Sequence, residues 1–434
     1  MTLLLLSGWL ASGPASAGGG YFILGYGPYA HQMAGTSTAV NLDGFGGASN
    51  PAKQFDAGNR IDLGVLAFLP YRRIQRTGAQ DPDFNFSSTS RNGSFYLPEA
   101  GFAHRINDRL AWGITLYGNG GLNTAYEGTT GVAKTNANPA QCGNQPGNFL
   151  FGCGRLGIDL SQVMLAPVLS WKFSSTQSIG MAPLITYQRI RVYGLQAFEA
   201  VSERPDDVTN RGYDQAFGAG VRVGWYGHVT PWLDLGAAYS SVIRMQRFKR
   251  YDGLFAGDGH FDIPENYSLG AAIKPAPDWV VAFDLQEINY HQVPALGNSG
   301  LNTLADPQGK PLGGRFGSGL NWRNQTNYRL GVQYAATARL TLRSGFAYGL
   351  QPGAENQGSA SLNMITPNPR ANLTVGLSWV ITPRDDFNFA YGRYLMGSFS
   401  APSTLAAFPG VGANAVETVK PHVDTFWLGW SRHL

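Results

Sequence analysis

Charged side chains are scarce in this chain: Asp, Glu, Lys and Arg make up only 14% of its 434 residues, where a soluble chain of this size carries about a quarter. The formal net charge of +4 is small and dispersed, which argues against nucleic acid as a partner. Long hydrophobic runs are missing as well. The longest clean one, Leu63 to Leu69 with its neighbours, falls short of the ~18 to 20 apolar residues that a membrane-spanning helix needs, so a helical membrane protein is excluded. Catalytic motifs are lacking too. There is no Gly-x-Ser-x-Gly elbow, no His-Glu-x-x-His and no phosphate-binding loop. The seven His are scattered, and His291, beside Tyr290 and Gln292, reads as a rim residue. The sequence therefore predicts no enzyme, no metal and no cofactor.

What is present points elsewhere. An apolar run from Leu3 to Ala11 ends at Ala15-Ser16-Ala17, an export signal over residues 1–17, although no Lys or Arg precedes Gly18. The 57 Gly, 20 Tyr, 24 Phe and 10 Trp, with a mean hydropathy of −0.15, suit a transmembrane β-barrel. Such a barrel needs apolar lipid-facing positions, aromatic girdles at both interfaces and tight turns. Cys142 and Cys153, the only two cysteines, lie close together in a chain bound for an oxidising compartment. A disulfide is the default reading, two free buried thiols the alternative.

Alternation with a period of two recurs from Ile61 to the end, in segments of about ten residues broken by Gly, Pro, Asn and Asp. Val163, Leu165, Leu169 and Trp171 share one face against Gln162, Ser170 and Lys172; Leu373, Val375, Leu377, Trp379 and Ile381 oppose Asn372, Thr374 and Ser378. Strand centres fall at Gly64, Tyr96, Ile114, Ala166, Leu184, Ala219, Gly236, Gly270, Ala282, Gly331, Leu342, Gly376, Phe389 and Gly429. That is about fourteen strands, an even number as single-chain bacterial barrels require. Short turns, such as Asn107-Asp108-Arg109 and Ser174-Ser175-Thr176, alternate with long connections, including Asn119 to Leu160 and Leu395 to Val423. The last of these carries no charge between Met396 and Val416 and reads as a greasy outer surface.

Between the signal and the first strand, residues 18–59 include Tyr21, Phe22, Ile23, Leu24, Met33 and Phe45. The only internal volume that could cover them is the lumen of the cylinder, so the segment is expected to be a plug inside a barrel formed by residues 60–434. A periplasmic extension that binds a partner is the alternative. On β-strand alternation, Arg189 and Arg191 share the face opposite Ile190 and Val192, which predicts both arginines in the lumen; Arg323 follows Trp322 near the start of another strand. These three are candidates for a ligand carboxylate, and the competing reading is that they pair with acidic residues of the wall.

Tyr21-Phe22-Ile23, Met33-Ala34-Gly35-Thr36-Ser37 and Asn50-Pro51-Ala52 resemble the N-terminal hatch of the FadL/TodX family of outer-membrane transporters for long-chain fatty acids and aromatic hydrocarbons. Downstream, Tyr117 to Thr124, Gly157 to Gln162, Trp322 to Thr326 and Leu373 to Gly376 match it too. The chain departs from the family in ending at Leu434 rather than Phe, in Asp43-Gly44-Phe45-Gly46, and in its cysteine pair. The resemblance implies a monomer in the Gram-negative outer membrane, amid lipid and lipopolysaccharide, that takes up hydrophobic small molecules by passive diffusion. It implies a first site in the third outer loop, here Gly118 to Leu160 with Leu122, Tyr126, Phe149, Leu150 and Phe151, a hatch contribution from Phe22, and a lateral opening near strand three. A general porin or an outer-membrane lipid hydrolase are the rival readings.

Overall fold

The computed structural model describes residues 20–434 apart from 41–42, 129–141, 144, 350–351, 354–357, 359, 367–370 and 396–397. The expected export signal lies outside the described residues, as does Met396. Fourteen strands form one closed antiparallel sheet: β1 (Arg60–Thr77), β2 (Phe95–Arg105), β3 (Leu110–Tyr126), β4 (Leu156–Lys172), β5 (Gln177–Tyr193), β6 (Asp214–Thr230), β7 (Leu233–Ser240), β8 (Asn266–Ala276), β9 (Trp279–Ile288), β10 (Gln325–Ala335), β11 (Leu340–Gly349), β12 (Ala371–Thr382), β13 (Asp385–Leu395) and β14 (Val416–His433). Each pairs with its neighbours in sequence, and β14 returns to β1 in a seam from Arg60↔His433 to Thr77↔Val416. All fourteen expected strand centres lie within these strands.

The alternation that marks the strands in sequence is the inside-outside alternation of the wall. Leu63, Leu169, Ile185, Leu269, Leu373 and Leu428 are exposed on its outer face, where hydrocarbon replaces water. Aromatic rings border this band: Trp112, Trp171, Trp279 and Trp379 towards the short turns, and Tyr71, Phe217, Tyr239 and Tyr328 towards the long loops. Long outer loops and short periplasmic turns are the rule for such barrels. Three strands outrun the expectation. β3 continues to Tyr126 and β4 starts at Leu156, so the loop between them is shorter than Asn119 to Leu160, and it is the second outer loop in chain order rather than the expected third; β14 likewise begins at Val416 rather than Val423. Beyond the membrane both strand faces meet protein, and period-two alternation no longer marks the strand.

The described residues of 20–57 touch the inner faces of strands all round the ring, which places them in the lumen. Glu99 of β2 accepts the Gly27 N–H at 2.9 Å. Thr115 of β3 donates to the Gly44 carbonyl at 3.1 Å, and Ser170 of β4 and Ser178 of β5 donate to that of Ala52 at 2.8 and 2.9 Å. Asp284 of β9 accepts the Ser37 and Thr38 N–H groups at 2.7 and 2.8 Å, and Arg329 of β10 donates to the Gly35 carbonyl at 3.1 Å. In Asn50-Pro51-Ala52, Asn50 accepts the Ala52 N–H at 3.1 Å and donates to the carbonyls of Thr38 and Trp225 at 3.0 and 2.8 Å. Many strand glycines face this segment for lack of room. A Cβ at Gly224 would lie 2.0 Å from Asn50 Oδ1, and one at Gly236 would lie 2.3 Å from the Thr38 oxygen.

Two buried ionisable groups of the segment are held at a cost. Asp43 accepts the Phe45 N–H at 3.0 Å through one oxygen, while its other oxygen is buried without a partner. Burial, with the charge of Asp62 adding to it, pushes its carboxyl up to about 6. Burial likewise pushes the Lys53 ammonium down to about 8, although Lys53 donates to the Val40 carbonyl at 2.6 Å and to that of Ser37. A carboxyl raised above its unfolded value of ~4 favours the folded segment most when protonated, and that advantage is lost as pH rises through the folded value. Channel openings in planar bilayers are therefore expected to be more frequent at about pH 7.5 than at about pH 5, with Asp43→Asn flattening the difference. An identical pH response in wild type and variant would refute the assignment.

Candidate functional site

Among the described residues the longest break in the wall's pairing lies between β2 and β3, the β4–β5 ladder skipping only Ala166 to Val168 opposite Ala182 to Leu184. β2 and β3 are paired only from Arg105↔Ala111 to Ala100↔Leu116. Beyond that point Phe95 to Glu99 pair with β1 alone, and Tyr117 to Tyr126 with β4 alone. Pro98, which has no N–H to offer, lies in the unpaired stretch. Leu97 reaches across towards Gly118, where a Cβ would lie 2.5 Å from the Leu97 Cδ2.

The tip of the N-terminal segment supplies part of the missing pairing. β3 bulges between Gly118 and Gly120, and Phe22 forms an antiparallel bridge with Gly120. The Ile23 N–H donates to the Asn119 carbonyl at 3.0 Å and the Gly121 N–H to the Tyr21 carbonyl at 3.1 Å. Only glycine fits at 120, since a Cβ there would lie 1.8 Å from the Tyr21 oxygen.

A cavity of about 330 Å³ occupies this break. Outward-facing Tyr96, Leu116 and Val163 line it together with inward-facing Arg72, Leu122 and the tip residue Phe22, so it crosses the wall. Arg72 is buried, donates to the Asn92 carbonyl at 3.1 Å and leaves its Nε without a partner. It has no acidic partner among the described residues. A second cavity, of about 150 Å³, lies under the outer loops among Leu150, Leu156, Val192, Leu195, Phe198 and Leu405. Ile365 and Thr366 line both cavities. Ile365 ends a short helix, α1 (Ala360–Ile365), and Thr366 follows it; β3 holds this end through Thr124 Oγ1 on the Ile365 carbonyl at 2.9 Å and Tyr126 Oη on that of Met364 at 2.8 Å.

The cysteines form a disulfide, with Cα atoms 5.3 Å apart. It staples a loop in which Phe149 stacks on Phe86 at 4.7 Å and Phe151 on Phe408 at 5.0 Å. Asn148 Oδ1 accepts the N–H groups of Leu150 and Gly152. Beneath this layer Arg76 and Glu417 form a fully buried ion pair at 2.7 Å. Arg76 also donates to the Phe149 carbonyl at 3.1 Å, and Glu417 accepts from Ser361 and Ser403, each at 2.7 Å.

Of the residues singled out in sequence, Phe22 and Leu122 line the wall cavity, Leu150 lines the outer one, and Tyr126, Phe149 and Phe151 pack the layer above. The expectation that Arg189 and Arg191 face the lumen is overturned. Both share the outward parity of Met181 and Ile185, while Ile190 and Val192 are buried inward. Their guanidinium groups cover the Tyr213 ring at 4.3 and 4.5 Å, and Arg191 is 3.8 Å from Asp159. Near its outer end the strand leaves the hydrocarbon, so its outer face turns polar while its inner face closes an apolar cavity. The parity of Met181 and Ile185, followed upward, carried that information. Arg323 is exposed, its N–H on the Pro352 carbonyl, and lines neither cavity. Among the buried guanidinium groups that sequence reading missed, the one lining the wall cavity is Arg72, hidden between two outward residues, Tyr71 and Arg73.

A family described as outer membrane protein transport protein (OMPP1/FadL/TodX) matches residues 153–407. No curated protein matches the sequence. Among solved structures, the toluene transporter TodX of P. putida is 16% identical, with 95% of this chain and 99% of that one covered and a TM-score of 0.67. A Pseudomonas aeruginosa FadL homologue, also 16% identical, covers the same shares with a TM-score of 0.68. The Ralstonia pickettii toluene transporter TbuX is 18% identical, with 94% and 98% covered and a TM-score of 0.59. At these identities the likeness is one of fold.

Removing one member of a buried ion pair costs about 3–5 kcal/mol, because the other charge is stranded. Arg76→Met is therefore expected to loosen the outer layer, read as faster protease cleavage within the outer loops of a barrel that still shifts on heating in SDS gels. Adding Glu417→Leu should restore resistance. An unchanged cleavage pattern in the single variant would show that the pair does not hold the layer.

Proposed function

The chain belongs to the outer membrane protein transport family (OMPP1/FadL/TodX), and from that premise we propose that it passes hydrophobic small molecules carrying an acidic head group through the wall between β2 and β3. It lies in the Gram-negative outer membrane as a multi-pass barrel. The observation that carries the proposal is the cavity lined by both faces of the wall at the point where β2 and β3 stop pairing.

A hydrophobic molecule enters at the stapled outer layer and the apolar cavity beneath it. The helix end at Ile365 and Thr366 separates that space from the wall cavity, and a shift of this end connects them. The N-terminal segment plugs the lumen below, so the open route is sideways, past Leu97 and Gly118, towards the membrane. Lumen-filling residues 20–57 weigh against a general porin, which keeps an aqueous channel. Two of the solved relatives are described as toluene transporters, which supports an apolar cargo.

Arg72 supports the acidic head group. A buried guanidinium without a counter-charge is unfavourable until an anion arrives, and a charge-assisted hydrogen bond contributes about 1.5–3 kcal/mol. Arg72→Met should thus weaken binding of oleate roughly ten- to hundredfold and leave toluene unaffected. Equal loss for both ligands would overturn the acid reading. Gly118→Phe places a ring in the wall opening and should slow uptake of both compounds into cells while the barrel remains folded. Uptake at the wild-type rate would mean that cargo leaves by another route.

A further inference from the structure

At the outer end of the seam two cations face each other on the membrane side of the wall. Arg73 of β1 and Lys420 of β14 are directly opposite in the register, next to Tyr71 and His422, whose rings stack at 4.9 Å. Both cations are exposed, and they share the outward parity of Leu63, Val65 and Tyr71 on β1 and of Phe426 and Leu428 on β14. Like charges directly opposite in an antiparallel pair repel and destabilise it. Nothing nearby relieves the repulsion. Arg73 Nε donates to the neutral Ser87 Oγ at 3.1 Å, and neither cation has an acidic partner among the described residues. The three acids of the same seam are taken: Asp424 by Tyr391 at 2.8 Å and Arg393 at 2.5 Å, Glu417 by Arg76, and Asp62 by Arg60. By contrast, Arg191 and Arg244, also on the outer face, lie beside Asp159 and Asp262.

The level of the pair says what meets it. From Leu63 to Tyr71 the outward face of β1 runs about 26 Å along the strand at ~3.3 Å per residue. At a tilt of ~40° that is about 20 Å of membrane thickness, close to the ~25 Å apolar band of such barrels. Arg73 and Lys420 follow immediately above, in the layer of the outer-leaflet head groups. In this membrane that leaflet is built of lipopolysaccharide, whose lipid anchor carries phosphates.

We propose that Arg73 and Lys420 together bind a phosphate of lipopolysaccharide, so that the lipid acts as a neutralising bridge across the β1–β14 seam. Arginine's planar fork takes two phosphate oxygens and the lysine ammonium a third contact. The Tyr71 and His422 rings lie beneath, at the border where amphipathic rings are favoured.

The test compares wild type with Arg73→Gln/Lys420→Gln, both folded in uncharged detergent. Each is titrated with lipopolysaccharide, with enzymatically dephosphorylated lipopolysaccharide and with inorganic phosphate, following the thermal transition and lipid bound per barrel. Lipid-free wild type should melt below the double variant, because only it carries the repulsion, and lipopolysaccharide should reverse that order. The double variant should bind the intact lipid at least roughly tenfold more weakly. Dephosphorylated lipid and inorganic phosphate should restore neither. If the double variant fails to fold, Lys420→Gln alone must still raise the lipid-free melting point. Equal lipid binding by wild type and variant, equal binding of dephosphorylated lipid, or full rescue by inorganic phosphate would each overturn the proposal.

Discussion

Hydrocarbon offers no hydrogen bonds, so every main-chain N–H and carbonyl within the membrane must find its partner in the protein. A sheet meets that demand only by closing on itself, and the β1–β14 seam closes this one. The same demand makes the break between β2 and β3 informative. Its edge is not left bare: Tyr21, Phe22 and Ile23 pair with Asn119 to Gly121 from the inside. The opening and the N-terminal segment are therefore one feature. Displacing the segment exposes main chain, and building a complete β2 would leave the tip without a place.

The segment is held differently along its length. In its lower part, wall hydroxyls, carboxylates and guanidinium groups meet it in a buried polar interface. Each such bond contributes modestly, but stranding one partner costs more than the bond is worth. At the tip rings join the main-chain bonds to Asn119 and Gly121, with Tyr21 beside Phe22, Tyr290 and Trp322 at 5.1 to 6.0 Å between centroids. Ring packing makes a weaker directional demand than hydrogen bonds, so the tip's side chains have more latitude than the polar contacts below. The cavity lies at this end.

Much of this was legible in the sequence, for a physical reason. Where one face of a strand meets lipid and the other a polar lumen, polarity alternates, as in Leu373, Val375 and Trp379 against Asn372 and Thr374, and the strand can be read off directly. The rule fails where the environment inverts. Ile190 and Val192 face an apolar interior, Arg189 and Arg191 a polar exterior, so polarity alone turned the outer end of β5 inside out. The break in the wall was implied near strand three by the resemblance alone, since pairing between strands leaves no mark in the residue pattern beyond Pro98 and the glycines around 120. The chain's many glycines, read from composition as turn residues, include wall positions shaved to fit the N-terminal segment, such as Gly224 and Gly236.

The wall grips that segment largely by its main chain: the N–H groups of Gly27, Ser37 and Thr38 and the carbonyls of Gly35, Gly44 and Ala52. Such contacts do not use the side chain, but the path leaves no room for one at Gly27, Gly35 and Gly44, where a Cβ would lie 2.4, 1.8 and 2.7 Å from neighbouring atoms. Those positions are fixed by shape, while the wall residues that grip the segment are fixed by the bonds they supply. Mutational tolerance should accordingly be narrow on both sides of the interface, for steric reasons in the interior chain and for polar reasons in the scaffold around it.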